Sequence, residues 1–184
     1  KPVLLINPRS GDGKAERVGL VEAARSRGIE CHEFGPGIDL RQLAQDAVTA
    51  GADVVGVAGG DGSQAIVADV VSRAGGQMVC VPVGTRNHFA MDLGLDRADP
   101  VAALEAFGDA RLKTVDLARV NGQAFLNNVS MGVYGSVVQS ASYRERKVET
   151  AMEKLPTLLE NPPDLRFMGP DGEPHTTVHI VHVS

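Results

Sequence analysis

The chain has 184 residues, with 18 basic and 23 acidic side chains and a formal net charge of −5. This length is enough for one large domain, or for one and a half smaller domains, with a hydrophobic core. The acidic balance argues against a protein that binds duplex nucleic acid, because such proteins usually present a basic face. No apolar run approaches the roughly 20 residues that a membrane span needs, so we expect any membrane contact to be peripheral.

The two cysteines, Cys31 and Cys80, lie in apolar runs and lack the CxxC spacing of a redox or metal site. They are typical of buried thiols in a reducing compartment. The sequence therefore predicts a cytoplasmic protein.

Residues 1–112 alternate short β-branched runs with stretches of helical periodicity, which predicts βαβ units around a parallel sheet. The predicted strands cover residues 2–7, 29–34, 52–58 and 77–84. The predicted helices cover residues 15–28, 40–51, 63–76 and 101–108. Three helix ends have capping residues: Gly28 is suited to a left-handed C-terminal cap, and Asp39 and Asp99 to N-caps.

The hydrophobic period changes after residue 112, so we expect a second domain over residues 113–184. Its sequence predicts a hairpin at Asn121-Gly122, a helix over residues 136–160 and a second hairpin around residues 170–174. The chain stops inside a strand pattern, and we expect this domain to be incomplete. The predicted fold is a three-layer α/β domain followed by a partial, mainly antiparallel β domain with an inserted helix.

Three loops each follow the carboxyl end of a predicted strand, where open α/β sheets bind their ligands. They are "NPRSGDGK", "GGDGS" and "PVGTRNHF". Glycine lets backbone N–H groups approach a phosphate closely, and a helix that begins just after the loop adds the positive end of its dipole. The three loops together predict a polyphosphate site.

Glycine turns also reverse the chain between a strand and a helix, so any single loop is equally well explained as structural. Two common phosphate motifs do not match. GxxxxGK[ST] is broken by Pro8 and Ala15, and GxGxxG is broken by Glu16. Glu33 keeps a dinucleotide-binding module open as an alternative.

The three motifs "NPRSG", "GGDGS" and "PVGTRNHFAMDLGL", in this order, resemble those of the diacylglycerol kinase catalytic domain family, which includes bacterial lipid kinases and sphingosine kinases. Its nucleotide domain is similar to those of NAD kinases and phosphofructokinases. The resemblance implies an ATP- and Mg²⁺-dependent kinase that transfers the γ-phosphoryl group to a lipid hydroxyl, with diacylglycerol as the default acceptor. It also implies these nucleotide-binding residues: Asn7, Ser10, Gly11, Gly59, Gly60, Asp61, Gly62, Ser63, Gly84, Thr85 and Asn87.

Asp61 is our candidate catalytic residue, and we assign no metal ligand. A second acidic candidate lies in the Asp-Gly-Glu sequence at residues 171–173, but Asp-Gly between two alternating runs favours a hairpin turn. Three departures from the family pattern weaken the expected site. Ala65 and Ile66 occupy the positions where the family commonly has Asn and Glu, and His88 replaces an Asp.

The partners expected from these features are ATP and a lipid, with peripheral contact at the inner membrane face and no nucleic acid. A homodimer is compatible with the sequence. Two alternatives stay open. The acceptor could be a sphingoid base or another compound that is not diacylglycerol, or the chain could be a non-catalytic module that responds to nucleotide.

Overall fold

The computed structural model describes residues 1–108, 110–132, 160, 167–168, 172–175 and 180–183. Two compact units divide the chain, Lys1–Asn127 and Asn128–Ser184.

The first unit is built on a four-stranded parallel sheet with the strand order β2-β1-β3-β4. Its strands are β1 (Val3–Ile6), β2 (Glu30–Glu33), β3 (Val54–Gly59) and β4 (Gln77–Pro82). All four lie within or close to the predicted runs. The order changes direction at β1, since the chain leaves β1 for β2 on one side and returns to β3 on the other. Ligands of such sheets bind at this switch point, outside the carboxyl ends of the strands.

Five α-helices and one 3₁₀ helix connect and follow these strands. They are α1 (Lys14–Arg17), α2 (Leu20–Arg25), α3 (Leu40–Thr49), α4 (Asp61–Arg73), α5 (His88–Asp92) and the 3₁₀ helix Ala102–Phe107. The predicted N-cap of α3 is confirmed, because Asp39 accepts hydrogen bonds from the backbone N–H groups of Arg41 and Gln42 at 2.9 and 3.2 Å.

The single helix predicted over residues 15–28 is wrong, because the chain forms α1 and α2 with a break between them. Gly19 adopts a left-handed conformation with φ 61° and ends the first helical turn. Glycine takes this conformation at little cost, and it also weakens a helix interior. The predicted left-handed residue after the second helix is confirmed, since Gly28 has φ 75°.

Side chains on the two faces of the sheet form separate cores, which confirms the three-layer α/β fold. Leu4 and Ile6 face one core with α1, α2 and the 3₁₀ helix. Val3 and Leu5 face the other core with α3 and α4. Adjacent strand residues point to opposite faces, so a strand that is apolar throughout is buried on both sides.

The antiparallel hairpin of β5 (Ala118–Val120) and β6 (Gln123–Phe125) also belongs to the first unit, where it packs against α4. Its turn is the predicted one, with positive φ at Asn121 (48°) and Gly122 (77°). The compact unit therefore extends past the change of hydrophobic period at residue 112. A domain boundary at that position stays a prediction.

In the second unit, β7 (Val129–Gly132) pairs with β10 (Ile180–Val183), and β8 (Phe167–Met168) pairs with β9 (Pro174–His175), both antiparallel. The β8–β9 pairing agrees with the predicted second hairpin, and Gly172 has φ 79°. The helix predicted over residues 136–160 lies almost wholly outside the described residues, as does Asp171. None of the helices in the described ranges is long and apolar enough to cross a membrane.

Candidate functional site

Three loops meet at the carboxyl edge of the parallel sheet, because β1, β3 and β4 are neighbours that run in the same direction. Loop 1 (residues 7–13) follows β1, loop 2 (Gly60) joins β3 to α4, and loop 3 (residues 83–87) joins β4 to α5. The first contact is a backbone hydrogen bond of 2.9 Å from Asn7 to the carbonyl oxygen of Ala58. The strand-end residues predicted from sequence therefore lie at one edge of one sheet.

Two of the glycines are required by the packing of the loops on each other. A Cβ atom on Gly11, which has φ +57°, would lie 2.3 Å from the carbonyl oxygen of Val83. A Cβ atom on Gly84 would lie 2.4 Å from the Cα atom of Gly60. Real Cβ atoms do not approach so closely, so these glycines bring loop 3 into contact with loops 1 and 2.

Gly62 differs from Gly11 and Gly84, because no atom lies within 4 Å of the position that its Cβ would occupy. It is the second residue of α4, whose N-cap residue Gly60 provides no side-chain hydrogen bond. The first N–H groups of a helix have no acceptor within the helix. The start of α4 therefore offers backbone donors and a positive dipole end beside open space, whereas α3 is capped by Asp39.

The carboxylate of Asp61 bonds to the start of α5, directly after loop 3. Its Oδ1 accepts the backbone N–H of Phe89 at 3.0 Å, and its Oδ2 accepts that of His88 at 3.3 Å. The side chain thus fixes the start of α5 against the start of α4. The sequence indicates an acidic residue at this position, but the two backbone donors lie 27 and 28 residues away and carry no sequence signal.

Asn87 is the turn residue of loop 3. It has a left-handed conformation with φ 56°, its side chain is buried, and its Nδ2 donates to the carbonyl oxygen of Gly84 at 2.7 Å. Its Oδ1 has no hydrogen-bond partner among the described residues. Thr85, Arg86 and His88 around it are exposed. Loop 3 therefore presents a buried, unpartnered acceptor and several exposed polar side chains.

Loops 1 and 2 also have local supports. Asn7 accepts the backbone N–H of Arg9 at 3.1 Å through its Oδ1, and the N–H of Ser10 bonds to the carbonyl oxygen of Asn7 at 3.2 Å. Ser63 packs its side chain against Gly59, where a Cβ atom would lie 2.8 Å from the Ser63 Cβ. Gly59 is thus explained by a side-chain contact within the protein.

Two cations at the same edge, Lys14 and Arg17, were not among the predicted nucleotide-binding residues. Lys14 donates through Nζ to the carbonyl oxygens of Pro82, at 3.4 Å, and Arg97. Arg17 donates to the carbonyl oxygens of Gly11, at 3.0 Å, and Asp12. Across the described residues, neither cation forms an ion pair with a carboxylate. Their charges therefore remain available to an anion at the loops.

Two of the three residues that depart from the family pattern, Ala65 and Ile66, face the interior, whereas His88 is exposed. Ala65 is buried, and Ile66 packs against the core that contains α3 and α4. The preceding Gln64 is 2% exposed, and its Nε2 donates to the carbonyl oxygens of Val57 at 3.0 Å and Val81 at 3.3 Å. Its Oε1 has no partner in the described part of the chain. Gln64 thus links β3 to β4 directly beneath the loops, and a polar residue in an apolar helix face was its only sequence signal.

Behind loop 3, Phe89 and Ala90 of α5 pack on Cys80 of β4. Burial, followed by the nearby Asp61 carboxylate, raises the pKa of the Cys80 thiol to about 12. The expected buried thiol is therefore confirmed for Cys80. Cys31 is free and only partly buried, and burial raises its pKa as well.

The chain is similar in sequence to bacterial lipid kinases. The chain is 32% identical to a diacylglycerol kinase of Mycobacterium tuberculosis over 154 residues, which cover 79% of this chain and 50% of the relative. It is 33% identical to a protein of Pseudomonas aeruginosa named "Probable lipid kinase YegS-like", with 79% of this chain and 49% of the relative covered. The chain thus spans about half the length of the curated relatives it matches.

A crystal structure of a diacylglycerol kinase from Bacillus anthracis has the same fold, with a TM-score of 0.66, 21% identity, and coverage of 99% of this chain and 63% of that chain. The family model of the diacylglycerol kinase catalytic domain matches residues 1–120, which include all three loops, the parallel sheet and α1 to α5. The chain therefore belongs to the diacylglycerol kinase catalytic domain family.

Proposed function

We propose that this chain supplies the nucleotide-binding part of an ATP- and Mg²⁺-dependent lipid kinase, which transfers the γ-phosphoryl group of ATP to a lipid hydroxyl. Diacylglycerol is the default acceptor. The observation that carries this proposal is the uncapped start of α4, which faces open space at Gly62 where the three loops converge.

A triphosphate is the anion that suits this edge of the sheet. The first backbone N–H groups of α4 lack acceptors within the helix, and anions bind readily at such helix N-termini. Lys14 and Arg17 lie beside the loops and donate to carbonyl oxygens. In this proposal the α4 amides bind the phosphates, and the two cations balance their charge.

The described residues also fit Mg²⁺. This ion prefers oxygen ligands and is commonly held by one or two carboxylates together with substrate phosphates. Asp61 is a carboxylate at the loops, and among the described residues each of its oxygens accepts one hydrogen bond, which leaves lone pairs free. Asp61 would hold the ion together with the nucleotide phosphates, and the ion would neutralise charge on the transferred group.

Asp61 is also our candidate for orienting the acceptor hydroxyl. Phosphoryl transfer depends mainly on positioning and electrostatic stabilisation, and an acidic residue accepts the hydroxyl proton in many kinases. The hydrogen bonds from His88 and Phe89 hold the carboxylate in one position at the edge of the sheet. A fixed carboxylate is suited to this role because it needs no reorganisation during the reaction.

The cellular setting follows from the acceptor. A lipid hydroxyl lies at a membrane surface, so we propose a cytoplasmic protein that contacts the inner membrane face peripherally. We expect it to act as a monomer or a homodimer and to have no nucleic-acid partner.

The proposal is tested with radiolabelled ATP on the full-length protein, in the presence of Mg²⁺ or a chelator, with diacylglycerol, a sphingoid base and a soluble alcohol as acceptors. We expect Mg²⁺-dependent labelling of diacylglycerol that falls at least about a hundredfold in Asp61→Asn. Asp39→Asn is the matched control, since it makes the same chemical change at the N-cap of α3, where Asn caps as well as Asp. Labelling that is equal in Asp61→Asn and in the control would show that Asp61 has no role in phosphoryl transfer.

The same experiment separates the alternatives. Labelling of the sphingoid base or the alcohol, but not of diacylglycerol, would keep the kinase and change its acceptor. Micromolar ATP binding without labelling of any acceptor would instead identify a regulatory module. Ala65 and Ile66 face the core at positions where the family commonly has Asn and Glu. The loss of these two polar groups is the reason to measure ATP binding as well as labelling.

A further inference from the structure

A buried carboxylate on the middle of α4 collects three arginines. Asp69 is 1% exposed and lies about 12 Å along the helix from Asp61. Its Oδ2 accepts from Arg41 of α3 at 2.6 Å. Its Oδ1 accepts from Arg73 of α4 at 3.0 Å and from Arg119 of β5 at 2.6 and 3.0 Å.

The charges of this cluster do not balance. Three guanidinium groups share one carboxylate, and Asp69 is the only carboxylate with which any of the three forms an ion pair within the described ranges. Arg73 and Arg119 bind the same oxygen atom, so their like charges lie close together. Two positive charges are left over, and bringing a further anion to the cluster would relieve their repulsion.

The surplus charge is accessible from solvent. The side chains of Arg41, Arg73 and Arg119 are 43%, 60% and 36% exposed. A guanidinium group has five N–H donors. Arg41 and Arg73 each use one nitrogen on Asp69, and Arg119 uses two. Further N–H donors of all three bind no other described residue, and they come from three different elements of the fold.

A buried carboxylate such as Asp69 needs charged partners, and this structural need explains one or two of the arginines. It does not explain all three. Convergent arginines with unused donors are a common way in which proteins bind phosphate groups, because the planar guanidinium matches two phosphate oxygens at once. We propose that Arg41, Arg73 and Arg119 form a second anion site, separate from the three loops, that binds a phosphate monoester group. The group is carried by a soluble phosphate compound or by the headgroup of a phosphorylated lipid.

The direct test follows the Nε–Hε NMR signals of the arginines in the full-length protein during titration with inorganic phosphate, at constant ionic strength maintained with chloride. We expect the signals of Arg73 and Arg119 to shift with saturation. In Arg73→Gln, the phosphate affinity that the Arg119 signal reports should fall about tenfold, since a charge-assisted hydrogen bond is lost. Arg73→Lys, which keeps the charge, should retain most of the affinity.

Two features keep this test specific. Arg73 is the most exposed of the three, so its replacement is the least disruptive, and thermal unfolding verifies that the variant is folded. Arg27→Gln removes the same charge from an exposed pair with Glu105 on the opposite side of the sheet from α4, and it should leave the signals unaffected. Signals that do not shift with phosphate, or that shift equally with chloride, would overturn the proposal.

A vesicle arm identifies the source of the phosphate group. Phosphatidylcholine vesicles are prepared with phosphatidate or with phosphatidylglycerol, and binding is measured by flotation. Stronger binding to phosphatidate that is lost in Arg73→Gln but kept in Arg27→Gln assigns the site to a lipid headgroup. Saturable shifts with phosphate, without a difference between the vesicles, assign it to a soluble compound. Without saturable shifts the arginines form only an internal ion cluster, and the proposal is contradicted whatever the vesicles show.

Discussion

The Oδ1 atom of Asp61 accepts the backbone N–H of Phe89 at 3.0 Å, and this hydrogen bond ties the start of α4 to the start of α5. A second bond, from the N–H of His88, completes the connection. The residue that the sequence selects as catalytic thus has a measurable structural role as well, and the two roles can be separated by experiment.

Replacement of Asp61 by Ala should lower the free energy of unfolding by about 1–2 kcal/mol, as expected for loss of a helix cap, and should also weaken ATP binding. Asp39→Ala removes the cap of α3 and should cost about the same stability without any change in ATP binding. Urea denaturation and isothermal titration calorimetry measure the two effects. Equal ATP affinity in the two variants would show that Asp61 serves only the fold.

Replacement of Gly84 by Ala should destabilise the protein, because the new Cβ would lie 2.4 Å from the Cα atom of Gly60 and force loops 2 and 3 apart. Overpacking of this kind typically costs about 1–3 kcal/mol. The comparison is Gly35→Ala, where no atom lies within 4 Å of the new Cβ. A Gly84→Ala variant as stable as Gly35→Ala in urea would argue against tight contact between the loops.

Asp69 should make the stability depend on pH in the acid range. Burial alone would raise its pKa, but hydrogen bonds from Arg41, Arg119 and Arg73 outweigh burial and hold the pKa well below its usual value. Its contribution is therefore fully present above the unfolded pKa of about 3.9, and it is lost as the pH falls below that value.

Asp69→Asn should lose about 2–4 kcal/mol at pH 7, because the partners of a buried charge are left uncompensated. The variant should also show a smaller further loss between pH 5 and pH 3 than the unmodified protein does. Urea denaturation at several pH values measures both changes. Asp46→Asn, an exposed acid on α3, is the control, and an acid dependence identical in both variants would exclude Asp69 as a source.

Gln64 gives predictions of different magnitude for two similar substitutions. Gln64→Leu removes the unpartnered Oε1, so the unfolding free energy should change by less than about 1 kcal/mol. Gln64→Glu would place a carboxylate against the carbonyl oxygens of Val57 and Val81 and should cost at least about 2 kcal/mol. Thermal unfolding compares them, and a Gln64→Leu variant as unstable as Gln64→Glu would contradict the described hydrogen bonds.

Local signals in the sequence account for much of the fold. Short, largely apolar runs predict β1, β3 and β4, Asp39 predicts the start of α3, and Asn121-Gly122 predicts the turn of the β5–β6 hairpin. Each of these depends on residues that are adjacent or a few positions apart. The break at Gly19 was missed because the apolar period continues through it, while the backbone conformation changes.

Contacts between distant residues could not be predicted in this way. The sequence indicates that the three strand-end loops share one edge, but not that Gly84 packs on Gly60 or that Asp61 bonds to Phe89. Arg119 lies 50 residues from Asp69, so its pairing, which attaches the hairpin to α4, has no local signature. Such contacts decide which glycines serve the fold and which remain open to a ligand.

Gly62 tests most directly the claim that the backbone at the start of α4 binds the phosphates of ATP. Ala at this position meets no atom of the protein and has the higher helix propensity, so Gly62→Ala should be as stable as the unmodified protein or more stable by up to about 1 kcal/mol. Calorimetric titration should nevertheless show ATP binding weakened at least about tenfold, with Gly35→Ala unchanged. Unaltered ATP affinity in Gly62→Ala would contradict the account.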